Sequence, residues 1–213
     1  MSDTMPIITI SREFGAGGRT VAKGLSKELG IPWYDRDFVR LTAKMSGYSE
    51  EEIEDEGETI SDSARFLDSI LNNMAAYTSS HDAIYQAQKD AMAELAKNPC
   101  IIVGRCSNVI LREAGIPSFD IFLHADYAIR VERAKALVSD KVTNVEKYVE
   151  KIDEQREKHY KVYTGGRLNR AQDYTICLDT GVIDYGRRLR VDIGIMVIDY
   201  ETCINVLTRL IRG

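Results

Sequence analysis

An α/β fold with a parallel sheet covered on both faces is what this sequence predicts, and three features predict it. Short apolar runs alternate with longer stretches of helical periodicity along most of the chain. The first apolar run opens into a glycine-rich turn, Gly15-Ala-Gly-Gly18, followed at once by an amphipathic segment. No internal repeat or low-complexity linker divides the 213 residues, so one domain with a sizeable core is the simplest organisation.

Taken in order, Ile7–Ser11 reads as a buried strand, and the glycine turn leads into a helix from about Thr20 to Leu29, closed by Gly30. Pro32–Asp35 is a short second strand. Asp37–Ser46 is helical, with Phe38, Leu41 and Met45 on one face. Glu50–Asp62 is strongly acidic and reads as a solvated helix or loop, and Ser63–Thr78 and Asp82–Lys97 follow as longer helices. Cys100–Gly104 and Phe119–His124 are apolar strands, and Asp126–Val138 is the helix after the second of them. Asn144–Tyr163 is a long charged helix, Tyr174–Asp179 a further strand and Tyr200–Ile211 a closing helix. Between the last two, Gly181–Ile198 is mixed in character, with a hairpin as one reading.

Composition excludes several functions. A net charge of −5 argues against a general nucleic-acid binder, because phosphate backbones demand clustered cations. The four cysteines form no C-x-x-C pair and no zinc-like cluster, which fits reduced thiols in a cytoplasmic protein. No segment has the ~18 consecutive apolar residues that a membrane-spanning helix needs, and no membrane partner is expected.

Chemistry concentrates where the strands end, the edge at which open parallel sheets bind ligands. Backbone N–H groups of the glycine turn and the start of the next helix make an anion site suited to phosphate. The phosphate-loop pattern G-x-x-x-x-G-K-[ST] is met only in part: Arg12 stands at the first glycine, Gly18 at the lysine, and Arg19 and Thr20 follow. An ordinary strand-to-helix turn is the plainer alternative, and the strand before it and the amphipathic helix after it favour phosphate. Arg12, Arg36 and Arg105 each follow a strand, and an arginine can grip two oxygens of one phosphate. A lone arginine there is usually surface; three beside a glycine turn suggest more than one phosphate group.

The long charged helix holds Asp153, Arg156 and Tyr160 at spacings that share a face. Its lysines, with Gly165-Gly-Arg167 and Arg170 beyond, suit either a solvated helix laced with ion pairs or a lid that closes cations over phosphates. A dinucleotide-binding protein stays open as well, since Gly15 and Asp35 have the ~20-residue spacing of a ribose-binding acid.

Five ordered segments, Ile8-Thr-Ile-Ser-Arg-Glu-Phe-Gly-Ala-Gly-Gly-Arg19, Pro32-Trp-Tyr-Asp-Arg-Asp37, Ile101-Ile-Val-Gly-Arg-Cys106, Ile121-Phe-Leu-His-Ala125 and Asp153-x-x-Arg156-x-x-x-Tyr160, resemble the cytidylate kinase-like family, a branch of the P-loop nucleoside monophosphate kinases. The resemblance spans most of residues 6–180. It implies a parallel five-stranded P-loop kinase-type sheet with helices on both faces, a helical monophosphate-binding insertion over 36–98 and a lid over 140–170. It implies ATP with Mg²⁺, and a nucleoside monophosphate acceptor of the CMP or dCMP kind. Gly15, Ala16, Gly17, Gly18, Arg19 and Thr20 would hold the ATP phosphates, with Thr20 reaching the metal through water. Arg19 would bring its charge to the transferring group in place of the lysine. Arg12, Arg36, Asp37 and Arg105 would hold the acceptor, Arg156 would swing in with the lid, and Asp153 would orient Arg156. Val103 and Cys106 stand where the kinase pattern has aspartates. The lost lysine also motivates a second reading, a sensor that binds nucleotide without transferring phosphate. The helices within 63–97 carry apolar positions that serve either internal packing or a homodimer interface.

Overall fold

The computed structural model describes residues 6–35, 89–138, 142–181 and 200–212. Their centre is a parallel five-stranded sheet in the order β2-β3-β1-β4-β5. The strands are β1 (Ile7–Arg12), β2 (Trp33–Tyr34), β3 (Ile101–Val103), β4 (Ser118–His124) and β5 (Ile176–Asp179). Helices α1 (Gly18–Leu29), α2 (Ser107–Glu113), α3 (Tyr127–Lys135), α4 (Val145–Thr164) and α5 (Tyr200–Arg212) accompany them. The parallel ladders pair Ile8 with Ile101 on one side of β1 and with Phe119 on the other.

The α/β class and the parallel sheet are as the sequence predicts, and so are the strand positions. β3 is a continuous apolar run, as expected of a strand covered on both faces, while β1 and β4 set buried polar residues between their apolar ones. Boundaries follow from capping. The side chains of Asp126 and Asn144 accept backbone N–H bonds from Ala128 and Lys147, so both residues cap α3 and α4 and are not their first turns. Gly30 and Gly165 close α1 and α4 in the left-handed conformation.

Two elements were not foreseen, α2 and a single 3₁₀ turn at Ala171–Asp173. The residue before α2 is Cys106, which has no capping side-chain bond and lies in a left-handed conformation, so the usual start signal is missing. The strand order also speaks against the dinucleotide-binding alternative. In that fold β2 lies beside β1; here β3 lies between them, and Asp35 ends an edge strand.

Two hydrophobic groups flank the sheet. On one face Ile8, Ile10, Val103, Ile121 and Leu123 pack with Val21, Ala22 and Leu25 of α1 and Leu207 of α5. On the other, Ile7 and Ile102 meet Ile110 and Leu111 of α2, Tyr160 of α4, and Ala91 and Met92. The expected helices Asp37–Ser46 and Ser63–Thr78, the acidic stretch Glu50–Asp62, residues 82–88 and the hairpin reading of 182–198 lie outside the described residues, as do Arg36 and Asp37. Most of the insertion, and with it the homodimer expectation, lies there too.

Candidate active site

β1 ends at Arg12, and the chain turns through Glu13 to Gly17 into α1. The Ala16 N–H donates to the Glu13 carbonyl at 3.3 Å, which tightens the turn. Gly15 has φ +79°, and a Cβ there would stand 2.5 Å from the carbonyl oxygen of Arg130, so only glycine fits. Gly17 precedes α1 with no side-chain cap, and the first turn of α1 carries no acidic residue. The first N–H groups of a helix have no partner within it. Here they face the strand-end edge of the sheet with positive potential and nothing anionic from their own turn.

An ion network centred on the buried Arg130 fixes this loop. Arg130 of α3 donates through Nη1 to the Phe14 carbonyl at 3.1 Å and through Nε to the Ala125 carbonyl at 3.0 Å. The same guanidinium pairs with Asp153 of α4 at 2.5 Å and with Glu13 at 3.1 Å. The Phe14 N–H donates to the other Asp153 oxygen at 2.7 Å. Both oxygens of Asp153 are thus committed to the loop and to Arg130. One turn on, Arg133 donates to the hydroxyl and carbonyl of Thr180 at 3.1 and 2.8 Å. The Thr180 hydroxyl in turn donates to the Ala16 carbonyl at 2.9 Å. The loop is therefore bolted to α3, α4 and the end of β5 at once.

Above the loop, Arg12, Arg105 and Arg156 line one cavity of about 40 Å³ with Ser11, Gly104, Cys106, His159, Tyr160 and Leu168. A single water needs roughly 10–15 Å³, so the described lining leaves room for a phosphate or carboxylate group. Arg105 and Cys106 sit at φ +59° and +55°. Each such non-glycine residue costs on the order of 1–3 kcal/mol, and strain of this kind clusters at ligand sites. The turn aims Arg105 at the cavity. Arg156 reaches the Arg12 carbonyl at 3.5 Å and lies 5.5 Å over the Phe14 ring, a cation–π contact that carries α4 to the loop. On the far side of the loop a cleft of about 380 Å³ is lined by Gly15, Gly17, Thr20, Glu132, Arg133, Ala136 and Leu137, in the size range of small-molecule sites.

The cavity floor is hydrogen-bonded. Burial pushes the Cys106 thiol up to about 12, with the Arg105 guanidinium pulling the other way. It stays protonated, 3.5 Å from Nδ1 of His159, and is no nucleophile. The Tyr160 hydroxyl accepts from Asn108 at 3.2 Å, and burial raises it above the ordinary phenol range. The Tyr174 hydroxyl, likewise raised by burial, donates to the Leu168 carbonyl at 2.6 Å.

The structure thus brings together Arg12, Arg105 and Arg156 on one side of the loop, with Gly15 to Thr20 forming the loop and the first turn of α1. It places Asp153 under the loop on Arg130. It sets the Nε of Arg19 2.5 Å from Asp35, on an exposed surface. Sequence reasoning missed Arg130, Arg133 and Thr180. The available signal was Arg130-Val-Glu-Arg133 in the helix after β4, whose spacing puts both guanidinia on one face.

The sequence profile of the cytidylate kinase-like family matches residues 7–182, and the chain belongs to that family. An uncharacterised protein of Eubacterium ventriosum has a similar structure, with TM-score 0.65 and 22% identity over 98% of this chain and 99% of that one. Shikimate kinase of Bacteroides thetaiotaomicron gives TM-score 0.56 and 13% identity over 99% and 100%. Shikimate kinase of Acinetobacter baumannii, in complex with shikimate, gives 0.51 and 14% over 98% and 94%. The fold is that of the P-loop kinases. No curated protein matched the sequence. No described helix is long and apolar enough to cross a membrane.

Proposed function

We propose, from membership of this family and from the anion site at the end of β1, that the chain transfers the γ-phosphoryl group of ATP to a nucleoside monophosphate, with CMP or dCMP as the leading acceptor. The observation that carries this reading is the meeting of an uncapped helix N-terminus with Arg12, Arg105 and Arg156 at one edge of the sheet.

In this reading the acceptor's phosphate oxygen attacks the γ-phosphorus. The new O–P bond forms as the bond to the β,γ-bridging oxygen breaks, and ADP leaves with the electron pair. Such a reaction needs positioning and charge neutralisation more than covalent help. Backbone N–H groups from Gly15 to Thr20 hold the donor phosphates, and the cleft beside Arg133 and Leu137 receives the nucleoside of ATP. Arg105 orients the acceptor anion, joined by Arg36 and Asp37 from the insertion, and Arg156 answers the charge that develops on the equatorial oxygens. Arg130, Asp153 and Glu13 touch no reacting atom; they keep the loop from moving.

Among the described residues no group of three or more His, Cys, Asp or Glu could hold a metal. Mg²⁺ takes few protein groups and completes its shell with phosphate oxygens and water. The exposed Thr20 hydroxyl, in the first turn of α1, is the group here that would approach it. When bound, Mg²⁺ would supply charge neutralisation of the donor phosphates.

A second acceptor class is favoured by one specific feature. Arginine grips carboxylate as well as phosphate, and three arginines line the small cavity. The test is ADP release from Mg²⁺-ATP with CMP, dCMP, UMP, AMP and shikimate. Turnover with a monophosphate supports the proposal, and turnover with shikimate alone moves the acceptor to a small acid. Measurable ATP binding with no turnover on any of them favours the sensor reading.

A further inference from the structure

The phosphate-loop lysine is missing at position 18, and the space its side chain would leave from is filled by another cation. A Cβ placed on Gly18 would stand 3.0 Å from Cγ and 3.2 Å from Cδ of Arg12. The Arg12 side chain therefore lies directly over Gly18. It continues to the far end of β3, where a Cβ on Gly104 would collide with Nη1 of Arg12. Arg12 stands at the position of the first glycine in the loop pattern, where a side chain is ordinarily absent. Two exchanges thus compensate each other: a side chain appears at residue 12, and the one at residue 18 disappears. Arg19, the nearest cation in sequence, pairs instead with Asp35 and is half exposed.

We infer that Arg12 is the catalytic cation of this loop, delivering from the end of β1 the charge that a lysine at position 18 would supply, and holding the transferring phosphoryl group. This rests on the phosphoryl-transfer reading above and changes which residue acts in it. The physical case is steric and electrostatic together. Gly18 and Gly104 leave a channel for one long side chain, and that chain ends in the cavity that Arg105 and Arg156 line. A guanidinium there can contact two oxygens of the phosphoryl group, whereas an ammonium meets it as a point charge. As the bond to the bridging oxygen breaks, the electron pair goes to ADP and Arg12 stays on the equatorial oxygens.

The experiment compares the wild-type chain with Arg12→Gly, Arg19→Ala and the double variant Arg12→Gly/Gly18→Lys. Two quantities are read: the affinities of Mg²⁺-ATP and Mg²⁺-ADP by calorimetry, and kcat with CMP. Arg12→Gly should lose the preference for ATP over ADP and about a thousandfold in kcat. Arg19→Ala should lose less than tenfold. The double variant, which restores the ordinary arrangement, should recover at least tenfold over Arg12→Gly and regain the ATP preference. If Arg12→Gly does not fold, judged by circular dichroism, the folded double variant decides by keeping or losing that preference. The inference falls if Arg12→Gly keeps both the ATP preference and kcat, or if it raises only the acceptor KM. If the wild type binds neither nucleotide, the phosphate-loop reading itself falls.

Discussion

On the α1 side of the sheet, β1 contributes Ile8 and Ile10, both fully buried against Leu25 of α1 and Leu207 of α5. On the α4 side the same strand contributes Thr9 and Ser11, equally buried but polar. β4 repeats the contrast, with Ile121 and Leu123 on one face and Asp120, Phe122 and His124 on the other. The first face is a dry core, where burial alone stabilises the packing at about 25 cal/mol per Å². The second joins an apolar cluster around Ile7, Ile102, Ile110 and Tyr160 to paired groups: Thr9 donates to Asp120 at 2.6 Å, Ser118 donates to it at 2.7 Å, and Asn108 donates to Tyr160. Such groups contribute only about 1 kcal/mol each when satisfied. They fix orientation, however, and α2 and α4, which carry or follow the site arginines, pack on that face. Apolar packing on both faces holds the fold, and the polar pairs of the second face also hold the site in register.

The strongest way to break this division is to remove the anchor shared by loop and helices. Arg130→Ala leaves Asp153 and Glu13 facing one another without their cation. Breaking a buried pair from one side costs about 3–5 kcal/mol. Urea unfolding should show a loss of that order, and nucleotide affinity should fall with it. A loss below about 1 kcal/mol would mean the loop is held by other contacts.

Next in size is a contrast between the faces. Leu25→Ala opens a cavity in the dry core and should cost about 2–5 kcal/mol. Thr9→Val removes one donor to Asp120 and should cost about 1–2 kcal/mol. Leu25→Ala should leave ATP affinity near that of the wild type under conditions where both are folded. Comparable losses from the two substitutions would erase the distinction between the faces.

The smallest effect is a matter of pH. Burial raises the Asp120 carboxyl above its ordinary range, and the Thr9 and Ser118 hydroxyls oppose this in part. The folded chain therefore holds that proton more tightly than the unfolded one. The stability this contributes is full below the ordinary Asp range, near pH 4, and is lost as pH rises through the folded value. Asp120→Asn keeps an oxygen to accept both hydroxyls and removes the titration. Melting temperatures from about pH 3 to about pH 7 should show the variant gaining on the wild type as pH rises. A gap that does not change with pH would mean that Asp120 is no more burdened by burial than a surface carboxylate.

Much of this was legible in the residues themselves. Short, largely apolar runs marked the buried strands, and Asp126 and Asn144 marked helix starts, because strand burial and capping act between residues close in sequence. The glycine turn, Arg105 and Arg156 stood out by type and spacing, and the family resemblance supplied their order. α2 was not legible, since seven residues without a capping side chain carry little local signal.

Other features needed the third dimension. That β3 separates β1 from β2 follows from packing of whole elements and from no local pattern. That Asp153 lies on Arg130, 23 residues earlier, and on the Phe14 N–H, 139 residues away, depends on where α3 and α4 dock. Arg19 was the nearer cation to the lost lysine in sequence, yet Arg12 is the one lying over Gly18. The sequence by itself determined the fold class, the loop and the kinds of residue available, because these arise from hydrophobic periodicity and backbone freedom. Only the tertiary structure decided which arginine occupies the lysine's space and which carboxylate anchors the loop. Those are contests for one volume between side chains on different elements, and position along the chain does not say which one arrives.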